Sequence, residues 1–208
     1  MTNDPWLSIL LPSINKVKRG NFIESLRANA THFDEIEIII DEEPGIVSGI
    51  ERALYKARGD WVWFAADDLM CESLGWDAEF KKVTKLFADQ IVMAFPNDCL
   101  FEETFACFPL LRAGICKLLT PFPYQRYKVD DSVMDIFPED RKIYLSNVIM
   151  RHNVHESKTG FLTKSGKIYP IDNPDIGRID HQRFLMQKRH RKMIREMLCQ
   201  EMAQSLLG

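Results

Sequence analysis

No stretch of this 208-residue chain approaches 18 consecutive apolar residues, so no segment is built to span a bilayer as a helix. The opening Met-Thr-Asn-Asp-Pro-Trp has neither a basic cluster nor a long apolar core, so a cytoplasmic location is expected rather than secretion. Cys71, Cys99, Cys107, Cys116 and Cys199 are odd in number, spread out and without a C-x-x-C pair, which points to reduced, mostly buried thiols. A positive balance is also missing. The formal net charge of -3 and a pI near 6.0 give no global attraction to nucleic acid or anionic lipid, and no nucleic-acid partner is expected.

What is present suits a folded core: 46% of residues are hydrophobic, enough for one large domain or one domain with a tail. Charge is unevenly spread. Residues 178–208 carry seven Lys/Arg against three Asp/Glu, a net of +4, which leaves -7 on the first 177 residues. The chain therefore divides into an acidic body, 1–177, and a basic amphipathic C-terminal helix, 178–208.

The body opens with alternating elements. Trp6–Leu11 reads as a short buried strand stopped by Pro12, with Ser13-Ile-Asn15 in a loop and a helix from about Asn21 to Ala30. Glu35–Ile40 is a β-branched strand ending at Asp41, and Glu42-Glu-Pro-Gly45 turns the chain. Apolar residues at 46, 47, 50, 53, 54 and 57 follow helical spacing, with Gly59 as the stop. Then comes Trp61-Val-Trp-Phe-Ala-Ala66, an uncharged run suited to a strand buried on both faces, ending in Asp67-Asp68. Such alternation predicts an α/β fold whose parallel sheet presents its loops on one face. Pro12 to Asn15, Asp41 and the Asp67-Asp68 pair all fall on that face, where α/β proteins bind ligands.

The order and spacing of these pieces resemble the family-2-type glycosyltransferases of the GT-A fold. In that family a first strand ends in a Pro-containing loop and a second ends in an Asp. A helix then leads through Ala-x-Gly-Asp, here Ala57-Arg-Gly-Asp60, to a third strand carrying an Asp-x-Asp motif and, further on, Gly75-Trp-Asp77. One position departs: aligned on the second carboxylate the motif reads Ala65-Ala66-Asp67, with Asp68 following. The resemblance implies a Rossmann-like GT-A fold, a central mostly parallel sheet flanked by helices. It further implies that Pro12, Ser13, Asn15, Asp41 and Asp67 contact the sugar nucleotide, and that Asp67 and Asp68 hold Mn2+ or Mg2+. The need for a cation is electrostatic, because a diphosphate must approach carboxylates on an acidic body. Alone, the Asp pair reads as a turn cap with Ser73 opening the next helix.

Further on, a helix from about Leu74 to Ala88, a strand Gln90–Phe95, a turn at Pro96-Asn-Asp98, a strand over Phe105–Leu111 and a short helix near 112–119 are expected. Phe101, Phe105, Phe108, Phe122 and Tyr124 read as core, with one of them free to stack on a sugar. Val129-Asp-Asp-Ser-Val-Met-Asp135 matches the family's later acidic motif, in which an Asp opens a helix under the acceptor. Asp130 aligns best and Asp131 is the alternative; the resemblance makes this carboxylate the general base of an inverting transfer. A helix cap is the competing reading. A late strand, Lys142–Met150, leads to His152 and His155, one or both of which the resemblance offers to the metal; surface histidines are the plain alternative. Thr163–Asp175 reads as a loop, either lid or connector. From Ile179 to Leu207, Met193, Ile194, Met197, Leu198, Met202 and Leu206 form an apolar stripe. It suits packing on the body or a neighbouring subunit, or a peripheral membrane contact.

The activity so implied is metal-assisted transfer of a sugar from a nucleotide-diphosphate donor, UDP-sugar by default, to a glycan, lipid-linked or other hydroxyl acceptor. Two rivals remain: a nucleotidyltransferase, for which Leu11-Pro-Ser-Ile-Asn15 lacks the Gly-rich basic loop, and a non-catalytic sugar-nucleotide or protein-binding module, which Ala65 favours.

Overall fold

The computed structural model describes residues 4–126, 128–153, 160–162, 168–170 and 174–205, with the backbone alone described for 160–162, 168–170 and 174. In chain order the elements are β1 (Leu7–Pro12), α1 (Lys16–Asn29), β2 (Ile36–Asp41), α2 (Ile46–Lys56), β3 (Trp61–Phe64), β4 (Leu69–Cys71), α3 (Trp76–Val83) and β5 (Met93–Asn97). These are followed by β6 (Leu110–Arg112), α4 (Ala113–Leu118), α5 (Val129–Ile136), β7 (Lys142–His152), β8 (Gly160–Leu162), β9 (Ile168–Pro170), α6 (Pro174–Met186) and α7 (Lys188–Ser205). Seven strands form one sheet in the order β2-β1-β3-β6-β5-β7-β4, and β8 pairs with β9 separately. The strands β2, β1, β3, β5 and β7 run one way, while β6 and β4 run against them.

The uncharged strands are explained by burial on both faces. Side chains alternate across a strand, so Leu10, Val62, Phe64, Met93 and Phe95 enter one apolar layer with α2, α4, α5 and α7. Leu7, Ile9, Leu11, Trp61, Trp63 and Ala94 enter the other with α1 and α3. Trp63 anchors the second layer. Its ring lies 6.1 Å from Phe22, 5.5 Å from Trp76 and 5.2 Å from Phe80, and its Nε1–H reaches the Phe108 carbonyl at 2.8 Å. The indoles of Trp63 and Trp76 thus satisfy their polar atoms inside the core, Trp76 by donating to the Leu26 carbonyl at 3.0 Å.

Several expectations are corrected. Helix α1 begins at Lys16 rather than near Asn21, because the Asn15 side chain accepts the backbone N–H groups of Val17 and Lys18 and caps it. Ser73 caps nothing; its hydroxyl donates to the Asn147 carbonyl and accepts from the Ile149 N–H, stitching the 72–75 turn to β7. The three-residue β4, antiparallel to β7, was too short to show a period. Helix α3 ends at Val83, short of Ala88. Within the expected 163–175 loop, 168–170 is strand β9 and Pro174 already opens α6. The single C-terminal helix is two, with the break between Met186 and Lys188.

On α7 the apolar stripe divides. Ile194, Leu198 and Met202 are buried in the layer that contains α5, whereas Met193 and Met197 are about half exposed. Among the described residues no helix is long and apolar enough to cross a membrane. Of the mid-chain aromatics, Phe122 and Tyr124 are core, while Phe101, Phe105 and Phe108 are only half-buried.

Candidate active site

Five strands point the same way, so their carboxyl ends form one edge, and the acids met along the sequence collect there. Pro12 ends β1 directly opposite Asp41, which ends β2. Gly49 of α2 makes that approach feasible: a Cβ on it would lie 2.7 Å from the Pro12 Cβ and 3.4 Å from Asp41 Oδ1. Asp41 itself is 3% exposed and takes both Nε and Nη2 of Arg52, at 2.9 and 2.6 Å for the shorter contacts. The Arg52 hydrogen bonds hold its carboxyl below the ordinary value, against the opposing effect of burial. The carboxylate expected on the nucleoside therefore arrives already paired with a guanidinium, and Asn15 spends its side-chain oxygen on α1.

Beside them, the buried Ser13 hydroxyl donates to Asp67 Oδ2 at 2.5 Å, and the Ser13 N–H to the Asp41 carbonyl at 2.8 Å. The first loop, the end of β2 and the acidic turn after β3 are thus tied into one unit. Ala65, where the resemblance would put a first Asp, is 5% exposed and donates its N–H to the Leu10 carbonyl, as a continuation of the β3 pairing. A carboxylate there would point into the apolar layer.

Asp67 and Asp68 diverge. Asp68 Oδ2 lies 3.4 Å from His152 Nε2, the last residue of β7, and its carbonyl accepts the Asn153 N–H at 2.8 Å. The Phe108 ring and the imidazole meet edge to face, with centroids 5.1 Å apart. Burial works against ionising Asp68, but the His152 hydrogen bond and charge more than offset it, and the carboxyl sits below its usual value. Its Oδ1 is buried with no hydrogen-bond partner among the described residues. An ionised carboxylate with an orphaned oxygen beside an imidazole suits a divalent cation in donor chemistry. Among the described residues no three His, Cys, Asp or Glu side chains surround one point, so a cation here would complete its shell with ligand oxygens or water. His155 lies outside the described residues.

Across the edge, α5 starts after Lys128, which has a left-handed backbone (φ +76°) and makes no side-chain cap. Asp130 and Asp131 occupy the first turn and neither is the cap residue. They also separate: Asp131 pairs with the Lys128 ammonium at 2.9 Å. Asp130 is half-buried, with Asp131 and Asp98 as its charged neighbours, and burial followed by those two carboxylates pushes its pKa up to about 8.

Asp98 was read from the sequence only as a turn residue. It is 1% exposed; its Oδ1 accepts the N–H groups of Leu100, Phe101 and Glu102, and its carbonyl accepts the His152 N–H. Its Oδ2 has no hydrogen-bond partner among the described residues. The signal that marked Asp41 and Asp67, an acid just past a buried strand, would have marked Asp98 as well.

No protein-family model matches this sequence, and no characterised protein matches it at the level of sequence. Solved structures do match in shape. The mannosyltransferase PcManGT from Pyrobaculum calidifontis, in complex with GDP-Man and Mn2+, superposes with a TM-score of 0.56 at 12% identity, over 99% of this chain and 75% of that one. Glucosyl-3-phosphoglycerate synthase from Mycobacterium tuberculosis, in complex with Mn2+ and UDP-Glc, gives 0.53 at 13% identity, over 88% and 79%. A protein from STIV gives 0.50 at 13% identity, over 80% of this chain and 95% of its own. At such identities the likeness establishes the architecture alone, and that architecture is the GT-A glycosyltransferase fold.

Proposed function

We propose that this chain is a glycosyltransferase that moves a sugar from a nucleotide-diphosphate donor to a hydroxyl acceptor, with inversion and with help from a divalent cation. One observation carries the reading: at the carboxyl ends of a GT-A sheet's strands, Asp41 is paired with Arg52, Asp67 is bonded by Ser13 and Asp68 stands beside His152, while Asp130 opens α5 with Asp131 and Asp98 as its charged neighbours. Neighbours of the fold solved with GDP-Man or UDP-Glc and Mn2+ support it.

On this reading the nucleoside lies over Pro12, Ser13 and the Arg52–Asp41 pair. Ser13 keeps Asp67 turned toward the first loop, while Asp68 and His152 would hold Mn2+ or Mg2+. When bound, the cation neutralises diphosphate charge and stabilises the departing nucleotide. Asp130 accepts the proton of the acceptor hydroxyl as that oxygen bonds to the anomeric carbon and the bond to the diphosphate oxygen breaks. An ordinary carboxylate is a weak base; one whose proton affinity is raised to about 8 is far stronger, at the cost of being mostly protonated at neutral pH. Asp131, paired with Lys128, places a carboxylate next to the base.

The test is a panel of UDP- and GDP-sugars with Mn2+, assayed for transfer and for hydrolysis, on the parent chain and on Asp130→Asn. Turnover by the parent and its loss in the variant supports the proposal. The buried Ala65 favours a second reading, a sugar-nucleotide binder without catalysis. UDP binding with no turnover across the whole panel would select that instead.

A further inference from the structure

We propose that the C-terminal helices act on the reaction as a clamp, with Asp180 and Arg191 as positioning residues that fix where the α5 carboxylates stand. The inference rests on the reading of Asp130 as proton acceptor.

Left to itself, α5 is a poor helix. It has eight residues and no side-chain cap, follows a left-handed lysine, and carries Asp135 in its last turn, where the helix dipole disfavours an anion. Contacts from 45 or more residues downstream in sequence supply what the local sequence does not. Before α5, the Asp180 carboxylate of α6 is fully buried and accepts the Gln125 and Arg126 N–H groups at 2.9 Å each, one on each oxygen. At the far end, Arg191 of α7, 2% exposed, donates from Nε to Asp135 Oδ2 at 2.7 Å and so offsets that unfavourable anion. Its Nη1 donates to the Phe184 carbonyl at 2.7 Å and lies 3.5 Å from the Tyr124 hydroxyl, while its guanidinium stacks 3.6 Å above the Phe184 ring. Tyr124 in turn shares a 2.7 Å hydrogen bond with Ser132 in the middle of α5.

Adhesion alone does not require this. Val133 and Ile136 of α5 share an apolar layer with Ile194, Leu198 and Met202 of α7, and that contact would hold the helix with no buried charge. Buried charges cost desolvation and give little net stability, whereas their hydrogen bonds are directional. Apolar packing tolerates small slides; a carboxylate gripping two successive N–H groups and a guanidinium gripping an acid, a carbonyl and a ring do not. A general base must stand within hydrogen-bond reach of its proton, and about an ångström of misplacement is costly.

The experiment uses the full chain with Arg191→Met, Arg191→Lys and Asp180→Asn, and the sugar nucleotide identified by the UDP/GDP panel. It reads kcat, donor KM, calorimetric affinity for UDP with Mn2+, and amide hydrogen exchange over residues 129–136. Arg191→Met and Asp180→Asn are expected to lower kcat by roughly 10- to 100-fold. Donor KM and UDP affinity should stay within about twofold, with faster exchange in α5 and unchanged exchange in β1 to β3; Arg191→Lys should recover part of kcat. An unchanged kcat overturns the inference, as does a kcat and a UDP affinity that fall together, the mark of general unfolding. Turnover by the parent with no effect in the variants sinks this inference alone. A parent that binds UDP and turns over no sugar nucleotide sinks the proposed function and the clamp's role with it.

Discussion

At the ends of β2 and β3 the acids meet cations or hydrogen-bond donors: Asp41 has Arg52, Asp67 has Ser13, and Asp68 has His152. At the start of α5, Asp130 meets Asp131 and Asp98 instead. Asp41 and Asp68 lose their protons more easily than an ordinary carboxyl and Asp130 holds its proton more tightly, although all three are aspartates of one site. Local environment alone sets this difference. The first region suits the binding of a cation and a nucleotide, which need fixed negative charge with neutralising neighbours. The second suits the acceptance of a proton, which needs a carboxylate that gains by giving up its charge.

The comparison breaks most visibly at Asp130. Asp130→Asn is expected to lower kcat by about 10³-fold, within the usual range for a general base, while UDP and Mn2+ bind as in the parent. A variant that loses nucleotide binding in calorimetry would merge the two regions. Conversely, Asp68→Asn should weaken Mn2+-dependent UDP binding by roughly 10- to 100-fold, and equal affinities with and without Mn2+ in the parent would remove Asp68 from the metal's side.

The pH dependence sharpens the contrast. As the proposed proton acceptor Asp130 must be deprotonated, so kcat/KM should rise as pH climbs through about 8, and Asp130→Asn should lack that limb. Stability runs the other way. A folded pKa above the unfolded one favours the fold fully below the ordinary carboxylate value, and that contribution is lost as pH rises toward 8. At pH 9 Asp130→Asn should therefore be more stable than the parent by roughly 2 kcal/mol in denaturant titration, with the gap closing near pH 4. Asp68, held below its ordinary value, contributes stability above that value and loses it as pH falls further.

Smaller effects test the scaffold. Arg52→Met leaves Asp41 without its cation and should lower stability, read by urea unfolding as an earlier midpoint with an unchanged slope, with a near-parent pKa for Asp130. Trp63→Phe removes the indole donor to the Phe108 carbonyl and should cost about 1 kcal/mol. A much larger loss would mean that Trp63 ties the two regions together.

The first half of the fold was legible because its signals are local. Strands buried on both faces show as uncharged runs, helix α2 shows its period, and the acids that end β2 and β3 stand in sequence beside the strands they terminate. Elements too short to carry a period, such as β4, were not. The places of these residues at the strand ends were legible in the sequence; their pairings were not. Nothing near Asp41 in sequence announces Arg52, eleven residues on, as its partner rather than a base. Asp98 went unmarked although it too is an acid just past a buried strand, because the Pro-Asn-Asp run reads first as a turn and the burial of its carboxylate shows only in the folded chain.

By itself, then, the sequence determined the alternation of elements, the edge on which the strands end, and the presence of aspartates there, since hydrophobic period and turn chemistry act over a few residues. Tertiary structure alone decided which aspartate is ionised and which holds a proton, that Asp67 and Asp68 turn apart, and that α5 is fixed by Asp180 and Arg191. Those outcomes depend on desolvation and on which charged groups the fold sets side by side, from Arg52 eleven residues past Asp41 to His152 far beyond Asp68, and such terms exist only once the chain has folded.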